Sequence, residues 1–124
     1  MSTPSLRASR GRQAEEAAAS YLERSGFVIL SRNLRVGRDE LDLVVRAGEL
    51  VVIVEVRTRG RGAWTKALAS VDPPKRARLR RAGEALWRSH FKGDPSVERM
   101  RFDVVAVDLD AADGPTIEHV RAAL

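Results

Sequence analysis

Two apolar runs in this sequence carry carboxylates where a half-buried strand would not be expected to hold them. DELDLVV spans Asp39 to Val45, and VVIVEVRTR spans Val51 to Arg59. Isolated buried carboxylates are costly unless they are paired or bound to a metal. Side chains alternate faces along a strand. Glu40, Asp42 and Val44 therefore share one face of the first run, and Val51, Ile53, Glu55, Arg57 and Arg59 share one face of the second. With Ala47-Gly48 as a two-residue turn, Val44 pairs with Val51, Asp42 with Ile53 and Glu40 with Glu55. In that register all three acids lie on one face. Asp42 and Glu55 are then diagonal neighbours, about 7–8 Å apart at the backbone, and their side chains converge on one ion between them. Glu40 opposite Glu55 sets like charges against each other, which a bound cation, Arg57 or solvent exposure would relieve.

Oxygen donors of this kind suit a hard divalent ion, Mg²⁺ or Mn²⁺, held by Asp42 and Glu55. Such an ion activates a water and stabilises charge on a phosphate. Arg57, two residues beyond Glu55 on the same face, is placed to contact that phosphate. Glu15 is a third candidate acid. At about 100° per residue it lies at the border of an apolar helical stripe, while Glu16 points to water.

The elements that must position these residues can be read in outline. Ala14, Ala17, Ala18, Tyr21 and Leu22 form the stripe of a helix over residues 10–24, closed by Gly26. Residues 27–35, 41–45 and 50–58 read as three strands. Asp72-Pro73-Pro74 is a helix start, with Asp as N-cap and Pro at the first helical position. A helix then runs from Lys75 to His90, with Leu79, Ala82, Leu86 and His90 on one face. Residues 101–109 form a fourth strand and 117–120 a short fifth. The order is α-β-β-β-α-β plus a terminal strand: an α/β fold with a central mixed sheet flanked by helices. Residues 1–9 are expected to be a disordered tail and 10–124 a single domain.

Composition narrows the function. The chain of 124 residues has no cysteine, which excludes disulfides, thiolate zinc sites and a cysteine nucleophile. It has only two histidines, and zinc chemistry is not expected. The serines have no G-x-S-x-G context, and the glycines form neither a Walker A loop nor G-x-G-x-x-G. No apolar run has the roughly 20 residues of a membrane span, so a soluble cytoplasmic protein is the expectation. The net charge is +5, with pI about 10.6. Nine of the twenty-two basic residues fall between Arg57 and Arg81, opposed only by Asp72. Such a local excess suits a phosphate backbone. Arg59, Arg61, Lys66, Lys75 and Arg76 are the candidate nucleic-acid contacts, and Trp64 in the same stretch could stack on a base or cap the sheet edge. Asp103 reads as a structural or surface acid, and His90 as a packed one of two isolated histidines.

Glu15, Asp42 and the Glu55-Val-Arg57 triplet on this element order resemble the PD-(D/E)xK nuclease superfamily, which includes restriction endonucleases and archaeal Holliday-junction resolvases. More narrowly, GRQAE (11–15), RN (32–33), DELDL (39–43), VEVRTR (54–59), KRARL (75–79), RFDVV (101–105) and IEHV (117–120) are similar to the YraN family of uncharacterised bacterial proteins. The resemblance implies a restriction-endonuclease-like core and metal-dependent phosphodiester hydrolysis. Asp42 and Glu55 would be the metal ligands, and Glu15 the helix acid that completes a resolvase-like site. Arg57 stands where the motif has lysine. Arginine stays protonated, so it stabilises a phosphate but serves poorly as a general base; Lys75 is a candidate source of the missing ammonium.

The expectation is an endonuclease acting on DNA, branched or structured DNA included, and a symmetric homodimer by fold-level analogy. The alternative is a nucleic-acid-binding module on a nuclease fold without efficient catalysis. A third reading is an adaptor whose basic face binds an acidic protein.

Overall fold

The computed structural model describes residues 5–59 and 71–124. Helix α1 (Leu6–Arg24) starts within the stretch expected to be a tail, because Ser5 caps it by accepting the Ala8 N–H at 3.1 Å. Its C-terminus closes as a Schellman turn. Gly26 takes φ +97°, and the N–H groups of Gly26 and Phe27 donate to the carbonyls of Glu23 and Leu22.

Five strands follow in one sheet, in spatial order β1-β2-β3-β4-β5: β1 (Val28–Val36), β2 (Asp39–Ala47), β3 (Leu50–Arg59), β4 (Arg99–Asp108) and β5 (Thr116–Val120). Only β3 and β4 run parallel, linked through helix α2 (Pro73–Leu86); the other neighbours are antiparallel. The sheet is mixed and the helices flank it, as the element order requires. Among the described residues no helix is long and apolar enough to cross a membrane.

The sheet has an apolar layer on each side. Ala14, Ala18, Ala19 and Leu22 of α1 pack on Leu43, Val45, Val52, Val54, Val105 and Val107. On the other face Leu79, Ala82 and Leu86 of α2 pack on Val44, Val51, Ile53, Phe102 and Val104. Asp72 caps α2 through the Lys75 N–H at 2.9 Å, with Pro73 and Pro74 in the first turn. The α-helix ends at Leu86 rather than His90. Residues Trp87–Phe91 make one π-helical turn that leaves His90 exposed instead of packed.

Gly83 lies at the centre of the α2 contact. A Cβ there would stand 2.4 Å from the Phe102 ring, and both sides of that contact are confined by the core. Gly83→Ala is therefore expected to destabilise by about 1–3 kcal/mol despite alanine's higher helix propensity, measured as a lower urea midpoint.

The hairpin register differs from the expected one. The turn is Gly48-Glu49, not Ala47-Gly48: Ala47 pairs with Leu50, Val44 with Ile53 and Leu43 with Val54. The reason is local. A two-residue hairpin of type II′ needs φ > 0 at its first central residue, and Gly48 takes φ +58°. The shift is two residues, which preserves the alternation of faces within the paired residues 43–47 and 50–54, and Asp42, not Glu40, comes opposite Glu55 when the register is extended by one step. Glu40 pairs instead with Arg35 of β1 and is exposed.

Candidate active site

The site forms where β2 leaves β3. Their ladder ends at Leu43 and Val54, although β2 begins at Asp39 and β3 runs on to Arg59. Alternation also breaks here. Leu43 packs on the α1 side, but Leu41 packs on the α2 side, against the expectation that the two share a face. On β1, Asn33 adopts φ +51° between Arg32, which reaches α1, and Leu34, which packs on the α2 side. Both strands thus change face at one step. Asp42 occupies that step, and its Oδ2 accepts the β3 N–H of Val56 at 2.9 Å. The carboxylate stands in for the missing ladder bond.

Glu55 lies beside it, 3 % exposed. Two cations from different elements reach its Oε1: Lys75 Nζ from the first turn of α2 at 3.5 Å, and Arg57 from β3 at 3.6 Å. The Oε2 atom is buried and has no hydrogen-bond partner. Burial, and next the negative charge of Glu55, push the Asp42 carboxyl up to about 7.

Glu15 comes to the same place from the α1 side. Its Oε2 accepts from the Asn33 amide at 3.2 Å, while Glu16 pairs with Arg32 at 2.8 Å in solvent. Burial raises the Glu15 carboxyl, Asn33 opposes this, and the charges of Asp42 and Glu40 add to the rise. Glu15 therefore feels Asp42 electrostatically. Among the described residues, though, no group of three or more Asp, Glu, His or Cys side chains gathers closely enough to hold a metal ion. The donor set is the pair Asp42 and Glu55. That fits Mg²⁺ or Mn²⁺, which are usually held by one or two carboxylates with waters and substrate oxygens filling the remaining positions. Glu55 Oε2, buried and without a hydrogen-bond partner, is an oxygen that a cation could use.

The basic residues divide. Lys75 joins the site. Arg76 turns inward, its Nε donating to the Val71 carbonyl at 2.8 Å. Arg78, which was not among the candidate contacts, lines a cleft of about 250 Å³ in which Arg38, Lys75 and Arg78 face Asp39, Glu40 and Asp42. Helical spacing from Lys75 to Arg78 was the available signal for it. Arg61, Lys66, Trp64 and the side chain of Arg59 lie outside the described residues.

Away from the site, Asp103 and His119 are neither surface groups nor isolated. Asp103 is 0 % exposed. It accepts two bonds from the Arg101 guanidinium at 2.8 Å, one from the Ala122 N–H at 2.9 Å and one from His119 Nε2 at 2.7 Å. His119 Nδ1 meets the Tyr21 hydroxyl of α1 at 2.9 Å. Burial opposes ionisation of Asp103, but the bonds from His119, Arg101 and Ala122 outweigh it and hold the carboxyl at about 2.

The family model of the uncharacterised protein family UPF0102 matches residues 14–107. The chain belongs to UPF0102, the YraN family. A UPF0102 protein of Sorangium cellulosum (strain So ce56) is 49 % identical over 113 residues, covering 91 % of this chain and 78 % of the relative. One from Acidothermus cellulolyticus is 42 % identical over 128 residues, covering 98 % and 97 %. Among solved structures, SfsA of Pyrococcus furiosus in complex with Ca²⁺ is similar with a TM-score of 0.40 and 18 % identity, over 90 % of this chain. This chain spans 63 % of that protein's length, and a score so low transfers none of its chemistry. The stretch matched to UPF0102 contains Glu15, Asp42, Glu55, Arg57, Lys75 and Asp103, and ends before His119.

Proposed function

We propose that this UPF0102 chain is a metal-dependent endonuclease that hydrolyses DNA phosphodiester bonds, with branched or structured DNA among its substrates. The observation that carries the reading is the buried Glu55 beside the half-buried Asp42, with Glu55 Oε2 left without a hydrogen-bond partner where β2 and β3 part. A buried and a half-buried carboxylate side by side, one with an unused oxygen, are stable together when a cation joins them. Bound there, Mg²⁺ or Mn²⁺ supplies a Lewis acid for the phosphate and a water of lowered pKa.

The protein's own residues do the rest. The Val56 N–H fixes Asp42, and Lys75 with Arg57 fix Glu55, so both ligands are oriented before substrate arrives. Arg57 and Lys75 carry positive charge at the mouth of the pair, where a phosphate would develop negative charge. Arg57 does not act as a base, because its guanidinium stays protonated. Lys75 supplies the ammonium that β3 lacks, and Glu15 adds negative charge from the α1 side.

A second reading has its own support. Arg57 occupies the motif's lysine position, which favours a nucleic-acid-binding module without efficient turnover. Purified protein mixed with linear and branched DNA in Mg²⁺ or Mn²⁺ separates the two. Cleavage is expected only with metal, lost in Glu55→Gln and reduced at least tenfold in Lys75→Ala. Salt-sensitive binding without any cleavage would leave the second reading standing; cleavage undiminished in Glu55→Gln would refute the site.

A further inference from the structure

A basic cavity of about 530 Å³, with no carboxylate in its lining, lies between the first turns of α1 and the end of β3. Arg7, Arg10, Arg57 and Thr58 line it, together with Gly11. Arg57 also touches Glu55, so this cavity adjoins the carboxylate pair on the side away from the Arg38, Lys75 and Arg78 cleft. Arg10 is braced by Asp110 through two hydrogen bonds of 3.0 and 3.3 Å, which sets its guanidinium at the rim. Arg7 is exposed.

Gly11 is the feature that the fold does not explain. Glycine inside a helix is unfavourable relative to alanine. Here φ is not positive, and a Cβ built on Gly11 meets nothing within 4 Å. Neither backbone conformation nor packing requires the residue. A side chain there would project into the space the cavity provides. A bare backbone beside arginines lets an anionic chain approach closely.

We propose that this cavity holds the sugar-phosphate backbone of the nucleic-acid strand next to the scissile bond. The strand then enters over Arg38, Lys75 and Arg78, crosses Asp42 and Glu55, and leaves past Arg57, Gly11 and Arg7. A strand held on both sides of the reacting phosphate need not end at the site, which matches cutting within a chain rather than from its terminus. This inference rests on the nuclease reading and deepens it by assigning the substrate's path.

Binding of fluorescently labelled 20-nucleotide DNA, single- and double-stranded, in EDTA tests the path without turnover. Gly11→Leu is expected to weaken binding at least fivefold while its melting temperature is not lowered. Arg7→Ala should weaken binding similarly and reduce the slope of log affinity against log salt by about one. Arg88→Ala removes one charge from the exposed π-helical turn and is expected to bind as the wild type does. The proposal is overturned if folded Gly11→Leu and Arg7→Ala both bind as the wild type does, or if poly-glutamate displaces DNA at equal charge concentration. Absence of any salt-dependent DNA binding by the wild type would instead remove the nuclease reading itself, and this path with it.

Discussion

Asp42→Asn is expected to unfold at a higher urea concentration than the wild type at pH 8, to match it near pH 4, and to lose metal-dependent cleavage by about a thousandfold or more. The stability gain follows from linkage. The folded Asp42 carboxyl titrates at about 7, above the ordinary 3.8, so the folded state binds more protons than the unfolded state between those values. Stability of the wild type therefore falls as pH rises through that window. Asparagine carries no charge at any of these pH values and escapes the loss. It also keeps a side-chain oxygen for the Val56 N–H and offers an amide toward the unpartnered Glu55 Oε2. A rise of roughly three units sets an upper limit near 4 kcal/mol, and partial solvation of Asp42 and its coupling to Glu55 reduce the expected gain to about 2 kcal/mol. The activity loss follows from removing one of two anionic metal ligands, worth several kcal/mol in the transition state. The wild type should also bind Mn²⁺ more tightly as pH rises toward 8, because the cation competes with a proton on Asp42. Urea titrations at pH 4 and 8, with calorimetric Mn²⁺ titrations across the same range, check all three. A variant less stable than the wild type at pH 8 would mean that the carboxylates do not burden each other as the geometry requires.

Asp103→Asn should act in the opposite direction, lowering stability at pH 7 by about 3–5 kcal/mol. It leaves the partly exposed Arg101 guanidinium and the buried His119 Nε2 facing a neutral amide. The pH dependence again has a definite sign. The folded Asp103 carboxyl titrates at about 2, below the ordinary 3.8, so its contribution is complete above about pH 4 and disappears as pH falls toward 2. The wild type should show a cooperative acid transition in that window, and the variant should lack that component. Tyr21→Phe, which removes only the hydroxyl that meets His119 Nδ1, should cost about 1 kcal/mol. Thermal unfolding followed by circular dichroism between pH 2 and 7 measures both. Because Asp103 lies on the α1 face and Glu55 on the α2 face, Asp103→Asn should leave Mn²⁺ affinity per folded molecule unchanged.

The two carboxylate sites were unequally legible. Asp42 and Glu55 stand out because each interrupts a local run of apolar residues, and period-2 alternation says which neighbours share their face. Asp103 interrupts a similar run with Arg101 two residues before it, yet its other partners, His119 and Ala122, lie farther along the chain. His119 is 16 residues away, and Tyr21 reaches His119 across 98. Nothing in a local pattern links α1 to β5. Lys75 was readable as the third residue of a capped helix, but its contact with Glu55 depends on where the first turn of α2 docks against β3.

By itself, the sequence determined the element order, the helix stop at Gly26 and the cap at Asp72, the apolar character of both layers, and the presence of acids on the two strands of one hairpin. These rest on interactions among residues a few positions apart. The structure showed which of two local turns sets the register, through the positive φ of Gly48. It also decided that β2 changes face at Asp42, turning that carboxylate toward the Val56 N–H. Finally, it brought Glu15 from one side of the sheet and Lys75 from the other to the point where the strands part. Pairing and docking of this kind are set by the chain as a whole, because turn conformation and the packing of two layers must be satisfied together.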